Sequence, residues 1–211
     1  MENPLHKIWL RLHEGTTKRY GMTEFPGDTD ERCHRALEAS KGRERCVDLY
    51  SWAVPTEEVI EALAQFSPIV EVGAGRGYWA ALLQEAGADV VAYDLLPPSE
   101  LSQNTYHRSR KKGQKRVFTE VLKGDHRTLE EVDASRSLFL CWPPYNMPMA
   151  FKCLKAFTGD RLIYVGEGYG GCTGDDQFHA ELEESWEEVL NIDIPTWWGI
   201  RDFLSVWERK K

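Results

Sequence analysis

From Val54 onward the chain alternates short apolar runs with stretches in which apolar residues recur at helical spacing. Val59, Ile60, Leu63 and Ala64 line one side of a helical repeat. The preceding Val54-Pro55-Thr56-Glu57-Glu58 puts proline and carboxylates in a first turn, so a helix is expected to about Phe66. Ile69-Val70-Glu71-Val72 reads as a short buried strand cut off by a run of glycines, and Tyr78 to Ala86 as an apolar helix ending near Gly87. Further strands are expected over Asp89 to Tyr93, Val117 to Leu122, Leu138 to Cys141 and Leu162 to Val165. Between them lie a polar stretch over 99–115, a short helix from Leu129 to Val132 and a helix from Met147 to Phe157. Asp176 to Glu188 is expected as a helix with Phe178, Leu182 and Trp186 inside, followed by closing strands over Val189 to Ile194 and Phe203 to Trp207.

Strands alternating with helices predict an α/β fold: a seven-stranded, mostly parallel, doubly wound sheet with helices on both faces. The last two strands are joined without a helix and cannot be parallel neighbours, which predicts one antiparallel strand near the C-terminus. Residues 1–53 are polar and irregular, with helix-like stretches around Leu5 to His13 and Asp28 to Ser40. They are expected to form an N-terminal extension or lid on a domain spanning 54–211.

The chemistry concentrates where the first strand meets its helix, at Glu71-Val72-Gly73-Ala74-Gly75-Arg76-Gly77. Glycines there permit positive φ and close approach of a ligand, while a helix start presents free N–H groups. A glycine-rich turn by itself is shared with dinucleotide-binding enzymes. Here the spacing is Gly-x-Gly-x-Gly, an acid stands two residues before the first glycine, and Asp94 closes Val90-Val91-Ala92-Tyr93. A carboxylate in that place can accept both hydroxyls of a ribose diol. Gly124-Asp125 follows the third expected strand.

On these residues the chain resembles the class I methyltransferases, over roughly residues 54–208. The resemblance implies S-adenosylmethionine as cofactor. Glu71, Gly73, Ala74, Gly75 and Gly77 would form its loop, Asp94 and Leu95 would meet the ribose and its surroundings, and Gly124 and Asp125 the adenine. Trp79, Cys141 and Trp142 would line the rest of the cofactor cleft.

Trp142-Pro143-Pro144-Tyr145 follows the fourth strand, at the carboxyl end where such sheets carry their chemistry. It resembles the motif of amino methyltransferases, in which a polar residue precedes Pro-Pro-aromatic and helps to hold the target amine. This chain departs from the motif at its polar position, because the indole of Trp142 only donates. Tyr145 remains able to stack on an acceptor, and the backbone carbonyl of Pro143 to orient an amine. Glu167 ends the fifth strand, ahead of a glycine-rich loop, and is a candidate general base. His179 reads as a surface residue that could also serve as a general base, and His126 as structural or a neighbour of the adenine pocket. Trp52 and Trp197 are further candidates to wall a pocket, each equally suited to packing.

Composition narrows the partners. The net charge of −8 argues against generic nucleic-acid binding, although six basic residues crowd 108–116. Cys33, Cys46, Cys141, Cys153 and Cys172 are odd in number and widely spaced, which argues against a disulfide framework and a zinc site and for a reducing cytoplasm. No stretch suits a membrane span, and the N-terminus lacks a secretory pattern. No metal site is expected. Three readings of the acceptor stay open: an amine on a nucleic-acid base or protein, a small molecule, or none, the fold serving only to bind.

Overall fold

The computed structural model describes residues 2–20, 41–100, 116–197 and 199–211. The helix-like stretch 28–40, Cys33, Trp198 and all of the basic run but Arg116 lie outside the described residues.

The elements run α1 (Pro4–Tyr20), α2 (41–49), α3 (Glu57–Ala64), β1 (Ile69–Val72), α4 (Tyr78–Glu85), β2 (Val90–Asp94), β3 (Leu122–Lys123), β4 (Ser137–Cys141), α5 (Met149–Ala156), β5 (Arg161–Gly166), α6 (Asp176–Ser185), β6 (Trp186–Asp193) and β7 (Phe203–Arg209). The strands form a seven-stranded sheet in the order β3-β2-β1-β4-β5-β7-β6. All neighbouring pairs are parallel except those of β7, which runs antiparallel to both β5 and β6. This is the expected doubly wound architecture with its one reversed strand.

The apolar periodicity places a helix layer on each face. Val59, Ile60 and Leu63 of α3 and Trp79, Leu82 and Leu83 of α4 pack on one side of the sheet. Ala150, Cys153 and Leu154 of α5, with Phe178 and Leu182 of α6, pack on the other. Thr56 caps α3 by accepting the Val59 N–H at 3.2 Å, with Glu57 and Glu58 complementing the helix start. The N-terminal segment is strapped to the same face. Leu5 is fully buried, the Asn3 side chain donates to the Pro55 carbonyl at 2.7 Å, and the Tyr78 hydroxyl donates to Asn3 at 2.8 Å.

Two elements depart from the expected pattern. Only Leu122–Lys123 of the third strand pairs with β2, because Phe118 leaves the sheet edge to pack against Tyr78 and Tyr50, with ring centroids 4.8 and 5.8 Å away. The acidic helix stops at Ser185 rather than Glu188, and Trp186 opens β6. Burial of the Trp186 ring beneath the Arg209 guanidinium, 4.3 Å from its centroid, favours pairing with β7 over another helical turn. Lys210 then satisfies the loose helix end, donating to the carbonyls of Glu183 and Glu184.

Candidate functional site

The order of the strands reverses between β1 and β4, so their carboxyl ends diverge and leave a crevice. The glycine turn rises at its edge. Gly73, Gly75 and Gly77 have φ of +85°, +56° and +74°, a backbone region closed to most side chains. The turn is tied to β2 beneath it. The amides of Gly73 and Ala74 both donate to the Tyr93 carbonyl, at 2.8 and 3.0 Å. Asp94 receives the Gly75 N–H on one carboxylate oxygen and the Leu96 N–H on the other, each at 2.8 Å. Each oxygen keeps a second acceptor direction, so Asp94 is fixed in place with capacity to spare.

A cleft opens beside this turn, with about 310 Å³ of empty space counting its open mouth. Its walls include Glu71, Gly73, Ala74 and Trp79 on one side and Tyr50, Trp52, Cys141 and Trp142 on the other. Glu71 is buried, and one of its carboxylate oxygens has no hydrogen-bond partner. Burial first and repulsion from Asp94 second push its pKa up to about 8, offset in part by the Ala80 amide. The Trp79 indole N–H is likewise buried and unpartnered. The cleft therefore offers an unsatisfied acid to a cationic or N–H-bearing ligand.

The far wall is aromatic. Trp142 stacks on Trp52, with centroids 4.7 Å apart and planes 15° from parallel. The Arg43 guanidinium lies 5.3 and 5.7 Å from the two ring centres. Trp197 is buried behind them and donates its indole N–H to the Trp52 carbonyl at 2.9 Å. Trp142 is the one non-glycine residue at positive φ among the described residues, at +55°. That conformation costs roughly 1–2 kcal/mol. It is held by the Trp142 amide, which donates to Val165 at 2.8 Å.

The remaining candidates divide into engaged and free groups. The Pro143 carbonyl accepts the Gly174 amide at 2.9 Å, and Pro144 pairs with Thr173, so the segments after β4 and β5 form one rim. Glu167 is buried with one carboxylate oxygen on the Cys172 amide at 2.7 Å and the other on the Arg201 amide at 2.8 Å. It ties the rim to the β6–β7 connection. Tyr145 stands exposed on the rim. Asp125 caps the short helical turn His126–Glu130 and pairs bidentately with Arg127, which holds its pKa down to about 2. The Gly124 amide donates to the Asp94 carbonyl at 3.0 Å, and Leu95 is exposed just past β2. His179, expected at the surface, is instead buried, its ring held 2.9 Å from the Thr173 carbonyl. Burial, then Glu71 and Asp202, raise the Cys141 thiol well above its ordinary range.

Two residues of this site escape a reading by motif. Arg43 comes from α2 in the N-terminal segment, and Asp202 from the connection before β7. Neither sits in a recognisable spacing; only the fold brings them to Trp142. Among the described residues no cluster of His, Cys, Asp and Glu could hold a metal ion, and no helix is long and apolar enough to cross a membrane.

No protein-family model matches this chain, and no curated protein does. Among solved structures, the chain is similar to magnesium protoporphyrin IX methyltransferase from Synechocystis PCC 6803 with bound S-adenosylmethionine. The two share 12% identity over 97% of this chain and 90% of that one, with a TM-score of 0.47. It is similar at the same TM-score and identity to a point mutant of MtNAS in complex with S-adenosylmethionine, over 98% of this chain and 90% of that one. A third is Sp1610 of Streptococcus pneumoniae, described as a proposed tRNA (m1A22) methyltransferase. It is 15% identical over 75% of this chain and 72% of that one, with a TM-score of 0.47.

Proposed function

We propose that this chain is an S-adenosylmethionine-dependent methyltransferase acting on a small-molecule acceptor. The observation that carries the reading is the pair of acids at the glycine turn. Asp94 is anchored by two backbone amides with acceptor capacity left over, and Glu71 faces the same turn with an orphaned oxygen. A ribose diol suits the first and an ammonium group the second. The sulfonium cofactor, when bound, supplies an already activated methyl group.

The rest is done by the chain's own residues. The left-handed glycines let the ligand approach the backbone at the turn. Leu95 offers an apolar surface beyond the ribose position, with Gly124 and Asp125 bordering the adenine side. Trp79, Cys141 and Trp142 line the path from the turn toward the aromatic wall. There the protein's task is to align the acceptor and exclude water rather than to run elaborate acid–base chemistry.

Tyr145 would cover the acceptor from the rim. The Pro143 carbonyl and Glu167, already bonded to neighbouring amides, would shape that rim. Residues 41–53 act in this reading as part of a cover, since Arg43, Tyr50 and Trp52 all reach the aromatic end of the cleft. The aromatic lining of the cleft, with Trp52 stacked on Trp142, suits a small acceptor with a flat face. The test is transfer of labelled methyl from S-adenosylmethionine into a cell lysate, followed by fractionation. Label in the dialysable fraction supports the reading, and no label in any fraction contradicts it.

A further inference from the structure

Tyr78 belongs both to the cleft and to a network built by the N-terminal segment. It is the first residue of α4, directly after the left-handed Gly77, and it lines the cleft together with Gly73, Ala74, Trp79 and Tyr50. Its ring packs between those of Tyr50 and Phe118, with centroids 5.3 and 4.8 Å away. Its hydroxyl is bound by the N-terminal segment. It donates to Asn3 Oδ1 at 2.8 Å and accepts the Leu5 amide at 3.2 Å. Burial raises the Tyr78 pKa, so the hydroxyl keeps the proton that it donates.

The group that receives this proton is itself fixed. Asn3 is buried, its Nδ2 donates to the Pro55 carbonyl at 2.7 Å, and its Oδ1 also accepts the His6 amide at 3.0 Å. Pro55 precedes Thr56, the cap of α3, so Asn3 joins the starts of α3 and α4. Further along α1, the Trp9 indole N–H donates to the Thr196 carbonyl at 3.0 Å, and the next residue, Trp197, holds the Trp52 carbonyl at 2.9 Å. One helix therefore reaches both the start of α4 and the support of the aromatic wall. Swinging Tyr78 out of place would leave the Leu5 N–H and the phenol unpaired where they are buried, which is costly.

We propose that Asn3 is a positioning residue for the cofactor cleft. Through the Tyr78 hydroxyl it fixes the start of α4 and the Tyr50 ring packed on it, both of which line the cleft. Seating of the N-terminal segment and binding of the cofactor then strengthen each other. The proposal rests on the methyltransferase reading above for the identity of the ligand. Linkage makes the effect reciprocal: whatever factor the seated segment adds to ligand affinity, the ligand adds to the segment's hold on Tyr78. A tie that served only the scaffold would lower stability when cut, but would leave ligand affinity unchanged and would not tighten when ligand binds.

The test uses the full chain and S-adenosylhomocysteine, and compares wild type with Asn3→Ala and with Tyr78→Phe, which keeps the ring and removes only the hydroxyl. Affinity by equilibrium titration should fall about tenfold in each variant, a coupling of the size usual for linked sites. In the wild type, saturating S-adenosylhomocysteine should slow hydrogen exchange of the Leu5 amide about tenfold, although that amide donates to Tyr78 and not to the ligand. In Tyr78→Phe the same amide should exchange quickly with and without ligand. Should a variant fail to fold, the exchange measurement on the wild type decides alone. Leu5 exchange indifferent to ligand in the wild type, or wild-type affinity in either folded variant, would overturn the proposal. Failure of the wild type to bind S-adenosylhomocysteine would instead overturn the methyltransferase reading, and the proposal with it.

Discussion

Replacing Glu71 with glutamine asks whether the buried acid at the end of β1 is kept in waiting for a cation. In the folded chain its pKa is pushed from 4.5 to about 8, by burial first and by Asp94 second. The unfolded chain gives up this proton near the ordinary value, while the folded chain keeps it until the higher one. Between those limits the folded state binds more protons, so stability falls as the pH rises. The span from 4.5 to about 8 corresponds, at about 1.4 kcal/mol per pH unit, to about 5 kcal/mol withdrawn once the pH passes the upper value. Glutamine fills the same space and cannot ionise. The variant should therefore match wild type at about pH 5 and exceed it at about pH 9 by about 3–5 kcal/mol. For a chain of this length that is roughly 6–20 °C in Tm, measured by thermal denaturation across the pH range. The same proton leaves a trace in binding. A cationic ligand beside Glu71 favours the carboxylate, so cofactor binding near neutral pH should expel about one proton. Calorimetric titrations in two buffers of different ionisation enthalpy count it. Parallel Tm curves for variant and wild type, or titrations that agree in both buffers, would refute the reasoning.

Two further substitutions probe the scaffold. Glu167→Ala strips the acceptor from the partly buried amides of Cys172 and Arg201, and should cost about 1–3 kcal/mol by denaturant unfolding. Hydrogen exchange at those two amides should quicken, and unchanged exchange would show that they do not depend on the carboxylate. Gly77→Ala puts a Cβ 2.8 Å from the Thr119 side chain at a φ of +74°. It should lower stability by about 1–3 kcal/mol, read as a shift of the denaturant midpoint. A midpoint equal to that of wild type would contradict the strain argument.

The parts of this fold governed by local chemistry were legible before the structure. The apolar spacing of Val59, Ile60 and Leu63 and the glycines at 73, 75 and 77 each dictate their conformation within a few residues. So do the brief apolar runs that became β1, β2, β4 and β5. The misplaced boundaries have non-local causes. Phe118 draws its segment away from β3 toward two tyrosines from other elements, and Trp186 is captured for β6 by Arg209 near the chain end. The candidate site divides in the same way. Glu71 and Asp94 announce themselves by position next to the glycine turn. By contrast, the stacking of Trp52 on Trp142 and the arrival of Arg43 over both rings join residues far apart in sequence. Glu167 illustrates a subtler limit. An acid at a strand end reads as chemistry, yet here both of its oxygens are bonded to backbone amides of two loops.

In the proposed function cofactor binding turns most directly on Asp94, and equilibrium titration with S-adenosylhomocysteine tests it. The wild type should bind. Asp94→Ala would remove the proposed acceptor of two ribose hydroxyls, each such bond to a charged group contributing about 1.5–3 kcal/mol, so affinity should fall by roughly 10²- to 10⁴-fold. Adding Gly75→Val, at a φ of +56°, should remove what binding remains. A wild type that does not bind, or a double variant that binds as well as the wild type, would contradict the assignment of the glycine turn to this cofactor.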